Sequence, residues 1–359
     1  MNNVSRPLRV GVVGCGSFGR HAYSDNVVNH PDANLTAVCD VDVERAETVA
    51  RELFDEYPQR PRAATYTDYQ EMFDQESLDV VMVGTMADVR PSVSIAALNS
   101  GAHVLAAKPM APSLVDAEAM LQAAEEADRM LMVGYNFRFR KDAQAAHNFI
   151  RSGGLGTPRF ARTWIHAGSV PVWGPHYIKS RSGGGSLAST GVHTLDLGVW
   201  FLGCPPLLSV EGRASARFDD LSTLPPDLEA VRDTYDVEDL VSGYVTFADD
   251  VTLSVESMWL APPKARDNGV DVWGTGGYAS LSPFRLLTWR DSDYVDVTED
   301  VAPGIAETFQ DNPRVRTRTE ALHFIDCALG KTSPLITPKE MWTDQAIVDG
   351  IYAGGRSYS

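Results

Sequence analysis

Three stretches of the chain carry residues whose types and spacing could do chemistry. Lys108 stands just past the apolar run His103-Val-Leu-Ala106 and before Pro109, which puts a primary amine at the end of a buried strand. There it can hydrogen-bond a substrate hydroxyl and stabilise the alkoxide that develops as a hydride leaves. Ser189, His193 and Asp196 follow one another at helical intervals of four and three in Gly183-Gly-Gly-Ser-Leu-Ala-Ser-Thr-Gly-Val-His-Thr-Leu-Asp196. That spacing predicts an amphipathic helix beginning about Thr190, with His193 aimed by its two neighbours. An imidazole titrating near ~6.5 can take up a hydroxyl proton at neutral pH and return it in the reverse direction.

The third stretch, Gly14-Cys-Gly-Ser-Phe-Gly19, binds rather than reacts. It follows the apolar run Arg9–Val13 and leads into a helix-compatible segment, the context that gives the order G-x-G-x-x-G its meaning. Gly14 permits a tight turn, Gly16 lets the backbone approach a pyrophosphate, and Gly19 lets the helix pack on the strand. Backbone N–H groups of Cys15, Ser17 and Phe18 complete an anion cradle at a helix N-terminus. Asp40 closes the next apolar run, Leu35–Cys39, where a carboxylate accepts hydrogen bonds from an adenosine ribose diol. It would repel a 2'-phosphate, so NAD is expected over NADP.

These residues need a scaffold, and its pattern is legible up to about residue 135. Strand-like runs at 9–13, 35–39, 80–83, 103–106 and 131–133 alternate with helix-like segments at 43–56, 67–73, 91–99 and 114–127, the last opened by the capping pair Ser113 and Asp116. Such alternation predicts a doubly wound parallel sheet whose ligand crevice lies at the strand C-terminal ends. Thr85, Met86, Lys108 and Asn136 fall at those ends and join the cofactor-contacting set. A helix over 142–152 follows, then a different texture. Short β-branched or aromatic segments at 157–166, 207–218, 240–247, 251–259, 269–274, 278–282, 286–289 and 294–297 predict a large, mostly antiparallel open sheet packed on helices such as 192–202. Residues 221–231 read as an exposed loop, and two helices, 317–329 and 338–352, close the chain. The expected division is a dinucleotide-binding domain over 1–135 and an α/β substrate and oligomerisation domain over 136–359, with the C-terminal helix able to pack back on the first.

Bulk properties restrict the partners. The net charge of −17 argues against nucleic acid and anionic membranes, and 44% hydrophobic content describes a globular chain. No run approaches the ~18 apolar residues of a membrane span. Met-Asn-Asn-Val-Ser-Arg-Pro runs straight into the first strand, so no signal peptide and a cytoplasmic location are expected. Cys15, Cys39, Cys204 and Cys327 are widely spaced with no C-x-x-C pair, which suits free thiols. His166, His176 and His193 are irregularly spaced and lack a carboxylate in register, so no metal site is expected.

Taken together, the glycine fingerprint with Asp40, Lys108-Pro109, Gly134-Tyr-Asn136 and the Gly-Gly-Gly-x-Leu-x-x-x-Gly-x-His-x-x-Asp run resemble the glucose-fructose oxidoreductase, inositol dehydrogenase and rhizopine-catabolism (Gfo/Idh/MocA) family over nearly the whole chain. The resemblance implies a Rossmann domain joined to an α/β domain, NAD or NADP as cofactor, and hydride transfer to or from a sugar, cyclitol or sugar acid. It also implies a homodimer or homotetramer built through the C-terminal sheet. Carried over by position, Lys108 is the active-site lysine, His193 the catalytic histidine, and Asn136 lines the site near the nicotinamide. Three departures stand out: Ala107 where the family has Glu, Ser189 where it has Asp, and Thr85-Met86 with Arg90 where it has Thr-Pro and a later His. Residues ahead of the triple glycine, His166, Trp173, His176, Tyr177 and Lys179, are expected to face substrate with Ser189. Two other readings remain open: a non-catalytic NAD(P)-binding sensor, which Ser189 and Ala107 favour, and a redox-neutral NAD-dependent glycosidase.

Overall fold

The computed structural model describes residues 6–224, 226–308 and 310–358. The chain forms two compact units. The first runs to Asn136 and takes in Asn312–Met341; the second comprises Phe137–Asp311 and the chain from Trp342 on. The first unit is therefore discontinuous. The segment that joins it holds the penultimate helix, Pro313–Ala328, which packs on the helical turn Gly19–Ser24 behind the glycine loop.

Six strands make the first unit's sheet: β1 (Leu8–Val13), β2 (Ala33–Cys39), β3 (Ala64–Tyr66), β4 (Val80–Val83), β5 (His103–Ala106) and β6 (Leu131–Val133). They lie in the order β3-β2-β1-β4-β5-β6, all pairs parallel. The order reverses between β1 and β4, and a crevice opens there at the strand C-termini. Every residue of β4 is buried, as a central parallel strand covered on both faces requires. Helices Val43–Glu56, Tyr69–Gln75 and Leu114–Glu126 start on side-chain caps from Asp42, Asp68 and Ser113. The short edge strand β3 has no apolar run to announce it.

The second unit is built on nine strands: β7 (Pro158–His166), β8 (Leu207–Ser215), β9 (Leu240–Phe247), β10 (Thr252–Met258), β11 (Asp267–Gly274), β12 (Gly277–Leu281), β13 (Phe284–Arg290), β14 (Asp293–Asp296) and β15 (Arg356–Ser357). Their order is β14-β13-β12-β11-β7-β10-β9-β8-β15, and the β7–β10 pair is the parallel one. Helix Val192–Phe201 lies against one face, so close that a Cβ on Gly198 would come within 2.6 Å of Thr163. All ten of its residues are buried, so the expected amphipathic helix is instead enclosed on every side, with His193, Thr194 and Asp196 buried among its apolar residues. It is entered through a π-helical turn, Leu187–Gly191. The expected loop over 221–231 contains a short helix, Pro226–Glu229, whose Leu228 is buried with Val170, Phe218, Val237 and Trp259. Pro225 of that stretch lies outside the described residues.

Helix 192–201 is held by a charge pair. Arg138, in the 3₁₀ turn Asn136–Phe139, donates from Nε to both Asp196 oxygens at 3.0 Å and from a terminal nitrogen at 2.7 Å, with both side chains at 0% exposure. The guanidinium also lies 5.1 Å over Trp200, whose ring stacks on His147 of helix Lys141–Arg151. Removing one partner leaves a charge buried and uncompensated, whereas replacing both with apolar groups can be nearly neutral. Asp196→Asn is accordingly expected to lower the unfolding free energy of this unit by about 3–5 kcal/mol. Urea unfolding followed by tryptophan fluorescence checks this, and Arg138→Met combined with Asp196→Leu should cost less than either single change.

Candidate functional site

In the first unit the glycine loop has the geometry its sequence called for. Gly14 holds φ +92°, and its N–H donates to the Cys39 carbonyl at 2.8 Å. A Cβ on Gly19 would lie 1.7 Å from the Gly14 carbonyl, so only glycine admits this approach. Gly16 has nothing within 4 Å of where its Cβ would be; the space above it is open, as a cradle for a pyrophosphate must be. Asp40, 7% exposed, accepts from the Cys15 N–H at 2.8 Å and from the Asp42 N–H at 3.0 Å. Arg45, half-exposed and not anticipated, reaches the same carboxylate at 3.3–3.4 Å. Loop and carboxylate thus fit a dinucleotide. The Cys15 thiol lies buried beside Asp40 and is pushed up to about 12, chiefly by burial, so it is no nucleophile.

Lys108 stands two residues past the end of β5, a half-buried residue whose amine is enclosed by protein. Burial first, then the nearby Arg90 and Arg316, lower its pKa to about 8. Arg90 donates to the carbonyls of Thr85 and Pro109. Arg316, from helix 313–328, donates to the Asn136 side-chain oxygen at 3.0 Å. One turn on, Glu320 is fully buried against the backbone of Gly134, where a Cβ would come within 2.8 Å of its carboxylate. Burial outweighs Arg316 and pushes the Glu320 pKa up to about 8. Lys108, Asn136, Thr85 and Met86 therefore belong to the strand-end region that the sequence pointed to. Arg316 and Glu320 do not show in the sequence, because a helix some 180 residues beyond the fold's sixth strand delivers them.

In the second unit His193 is 8% exposed, and its ring stacks on Phe137 with centroids 4.5 Å apart and planes at 11°. Both Asp196 oxygens are taken by Arg138, so Asp196 fixes the helix, and the imidazole plane is set by Phe137. Ser189 is buried within the π-helical turn, which alters the expected α-helical spacing to His193. The start of that turn is pinned by Glu238: its carboxylate accepts from the N–H groups of Gly185 at 2.7 Å and Leu187 at 3.0 Å, and from the Tyr352 hydroxyl at 2.9 Å. Cβ atoms on Gly184 and Gly185 would strike Tyr352 and the Glu238 backbone, and Gly183 holds φ +78°, which together explain the triple glycine.

The remaining expected residues divide. Trp173, 73% exposed, meets His176 edge-on at 4.2 Å on the loop ahead of the triple glycine. Tyr177 packs against the Phe218–Trp259 cluster, and Lys179 is exposed at the start of helix Lys179–Ser182. His166 is misplaced by the sequence reading. Along β7, Thr163 faces helix 192–201, so Arg162, Trp164 and His166 point to the opposite face, where His166 lies 3.5 Å from Glu256. Among the described residues no group of three or more His, Cys, Asp or Glu could hold a metal, and no helix is long and apolar enough to cross a membrane.

Comparison with known proteins agrees with this geometry. Residues 8–135 match the oxidoreductase family with an NAD-binding Rossmann fold, and residues 143–280 match the GFO/IDH/MocA C-terminal domain. The chain is similar to the D-glucoside 3-dehydrogenase of Escherichia coli strain K12, 26% identical over 97% of this chain and 95% of that protein. It is also similar to the D-apiose dehydrogenase of Paraburkholderia graminis, 26% identical over 96% of this chain and 87% of that protein. The crystal structure of an aldose-aldose oxidoreductase from Caulobacter crescentus complexed with glycerol shares the fold, with a TM-score of 0.77 at 21% identity over 98% of this chain and 100% of that one.

Gly16→Ala is expected to leave the melting temperature within about 1 °C while weakening NAD binding about tenfold or more, whereas Gly19→Ala should lower melting by more than about 5 °C; calorimetry and NAD titration separate the two. For Glu320 the sign follows from linkage. A carboxyl whose folded pKa lies near 8 holds its proton more tightly folded than unfolded, so it costs stability increasingly as pH rises from the unfolded carboxylate range to about 8. Glu320→Gln should therefore gain stability over the native protein as pH rises from 5 to 8, read as the difference in urea midpoints.

Proposed function

This chain belongs to the Gfo/Idh/MocA oxidoreductase family, with an NAD-binding first unit, and from that premise we propose that it transfers hydride between the nicotinamide and a hydroxyl or carbonyl of a sugar, cyclitol or sugar acid. The observation that carries the reading is Lys108: an enclosed amine at the strand-end crevice of a dinucleotide fold, its pKa lowered to about 8 chiefly by burial. Bound NAD supplies the hydride acceptor or donor at its nicotinamide ring. Glycines 14, 16 and 19 cradle the pyrophosphate and Asp40 holds the adenosine ribose. The amine of Lys108 hydrogen-bonds the reacting oxygen and stabilises charge that builds on it, while His193 exchanges the hydroxyl proton. With Ser189 where relatives of the family carry a carboxylate, the imidazolium formed on His193 lies against the Phe137 ring, and the enclosed lysine takes a larger share of the charge. Trp173 and His176 supply an aromatic surface suited to the apolar face of a sugar ring.

The oligomeric part of this reading rests on the second unit's sheet. Tyr244, Trp289 and Tyr294 are each about half exposed on its strands, an apolar surface suited to pairing with a second copy as a homodimer or homotetramer. Among the described residues the four cysteines form no disulfide, which supports a cytoplasmic location.

Screening aldoses, inositols and aldonic acids for NAD reduction, read as absorbance near ~340 nm, tests the activity. Lys108→Met is expected to lower kcat about 1000-fold while the NAD dissociation constant stays within about threefold. Near-native turnover in that variant would remove Lys108 from the reaction. Tight NAD binding with no reduction by any polyol would favour the sensor, and release of a chromogenic aglycone without net NADH the glycosidase.

A further inference from the structure

Arg90 is the first residue of helix Arg90–Asn99, directly after the turn that leaves β4. Its side chain does not point to solvent. At 3% exposure, it turns back and donates one terminal nitrogen to the Thr85 carbonyl and the other to the Pro109 carbonyl. These carbonyls belong to the two loops that bound the crevice at neighbouring strands β4 and β5, and Pro109 is the residue after Lys108. A planar guanidinium is the one side-chain shape that presents two N–H groups in a fixed fork to two acceptors. A lysine, with a single nitrogen, cannot span both in the same way.

We propose that Arg90 is a positioning residue for hydride transfer, clamping the turn that carries Lys108 to the turn that carries Thr85 and confronting the lysine amine with a fixed second cation. The proposal rests on the assignment of Lys108 to the reaction made above. Two consequences follow from the geometry. The clamp fixes where the amine stands relative to the reacting oxygen, and a misplacement of about 1 Å at such a site costs about 100-fold in rate. The guanidinium charge, with that of Arg316 from helix 313–328, also makes the ammonium easier to deprotonate. The other groups around the cluster are Tyr23, Asp88 and Tyr135, which favour the charge on Arg90, and Glu320, which faces Arg316 and Tyr23 from helix 313–328. Burial lowers the pKa of Arg90 itself only to about 10, so it keeps its charge through the range in which Lys108 loses its own.

The test uses the NAD-free full chain and reads Lys108 directly. The sequence holds six lysines, so lysine labelled with ¹⁵N gives six side-chain signals, and loss of one in Lys108→Met assigns it. The native midpoint is expected near 8. Arg90→Met should raise it by about one unit or more. In turnover, Arg90→Lys should lose about tenfold or more in kcat because the fork is gone, with NAD affinity within about threefold. A folded Arg90→Met with an unmoved midpoint overturns the electrostatic part, and Arg90→Lys with native kcat overturns the clamp. Should Arg90→Met fail to fold, Arg90→Lys still decides the clamp, and Arg90→Gln, which keeps a polar donor without the charge, replaces it in the titration. The midpoints involve neither substrate nor cofactor. If they move as expected while Lys108→Met remains fully active, the functional reading fails and the electrostatic assignment of Arg90 stands.

Discussion

A guanidinium and a carboxylate removed from water together, Arg138 and Asp196, hold the helix that carries His193 to the second unit's scaffold. Neither can be left alone in the interior, so each dictates where the other's backbone must be. Through Asp196 the pair orients helix 192–201. Phe137, next to Arg138, then presents its ring to His193 one turn earlier on that helix. The cation over Trp200 extends the same restraint to helix 141–151 through the Trp200–His147 stack. Such a network adds little net stability over an apolar core of equal volume. Its contribution is to leave the imidazole one orientation.

The same economy of charge governs the first unit, with the opposite outcome. Arg90, Arg316 and Lys108 are three cations in one neighbourhood, and Arg90 and Arg316 are directed onto oxygens by Thr85, Pro109 and Asn136. Guanidinium groups keep their protons, so the amine is the one that yields. Glu320, buried nearby, responds in kind by becoming a weak acid. Two groups whose ordinary pKa values differ by about six units are brought close to each other chiefly by burial, with Arg90 and Arg316 adding to the effect on Lys108.

How much of this was legible in the sequence depends on how local its cause is. β4, β5 and β6, the helix Val43–Glu56 and the glycine loop follow from runs of apolar residues, caps and turns a few residues long, and they stand where the pattern put them. His166 failed because alternation along β7 names two faces without saying which is covered. The contact between Gly198 and Thr163 decides that, and those residues are distant in the chain. Ser189 and His193 were counted on an α-helical wheel, but the segment between them opens with a π turn made possible by Glu238, fifty residues on. Asp196 was read as a partner for His193 because three residues is a helical neighbour distance, yet a distant arginine with better geometry claimed it. Arg316 and Glu320 had no local signal at all.

The discontinuity of the first unit has a temporal meaning. A ribosome releases the glycine loop, Asp40 and Lys108 early, but the helix that packs on the loop's own helical turn comes after eight of the second unit's nine strands. At roughly 5–20 residues per second the interval is on the order of ten seconds or more. Throughout it, the nascent nucleotide-binding sheet is a fold without its last wall. The chain thus crosses between the two units three times, and neither unit is complete until its C-terminal stretch has been made.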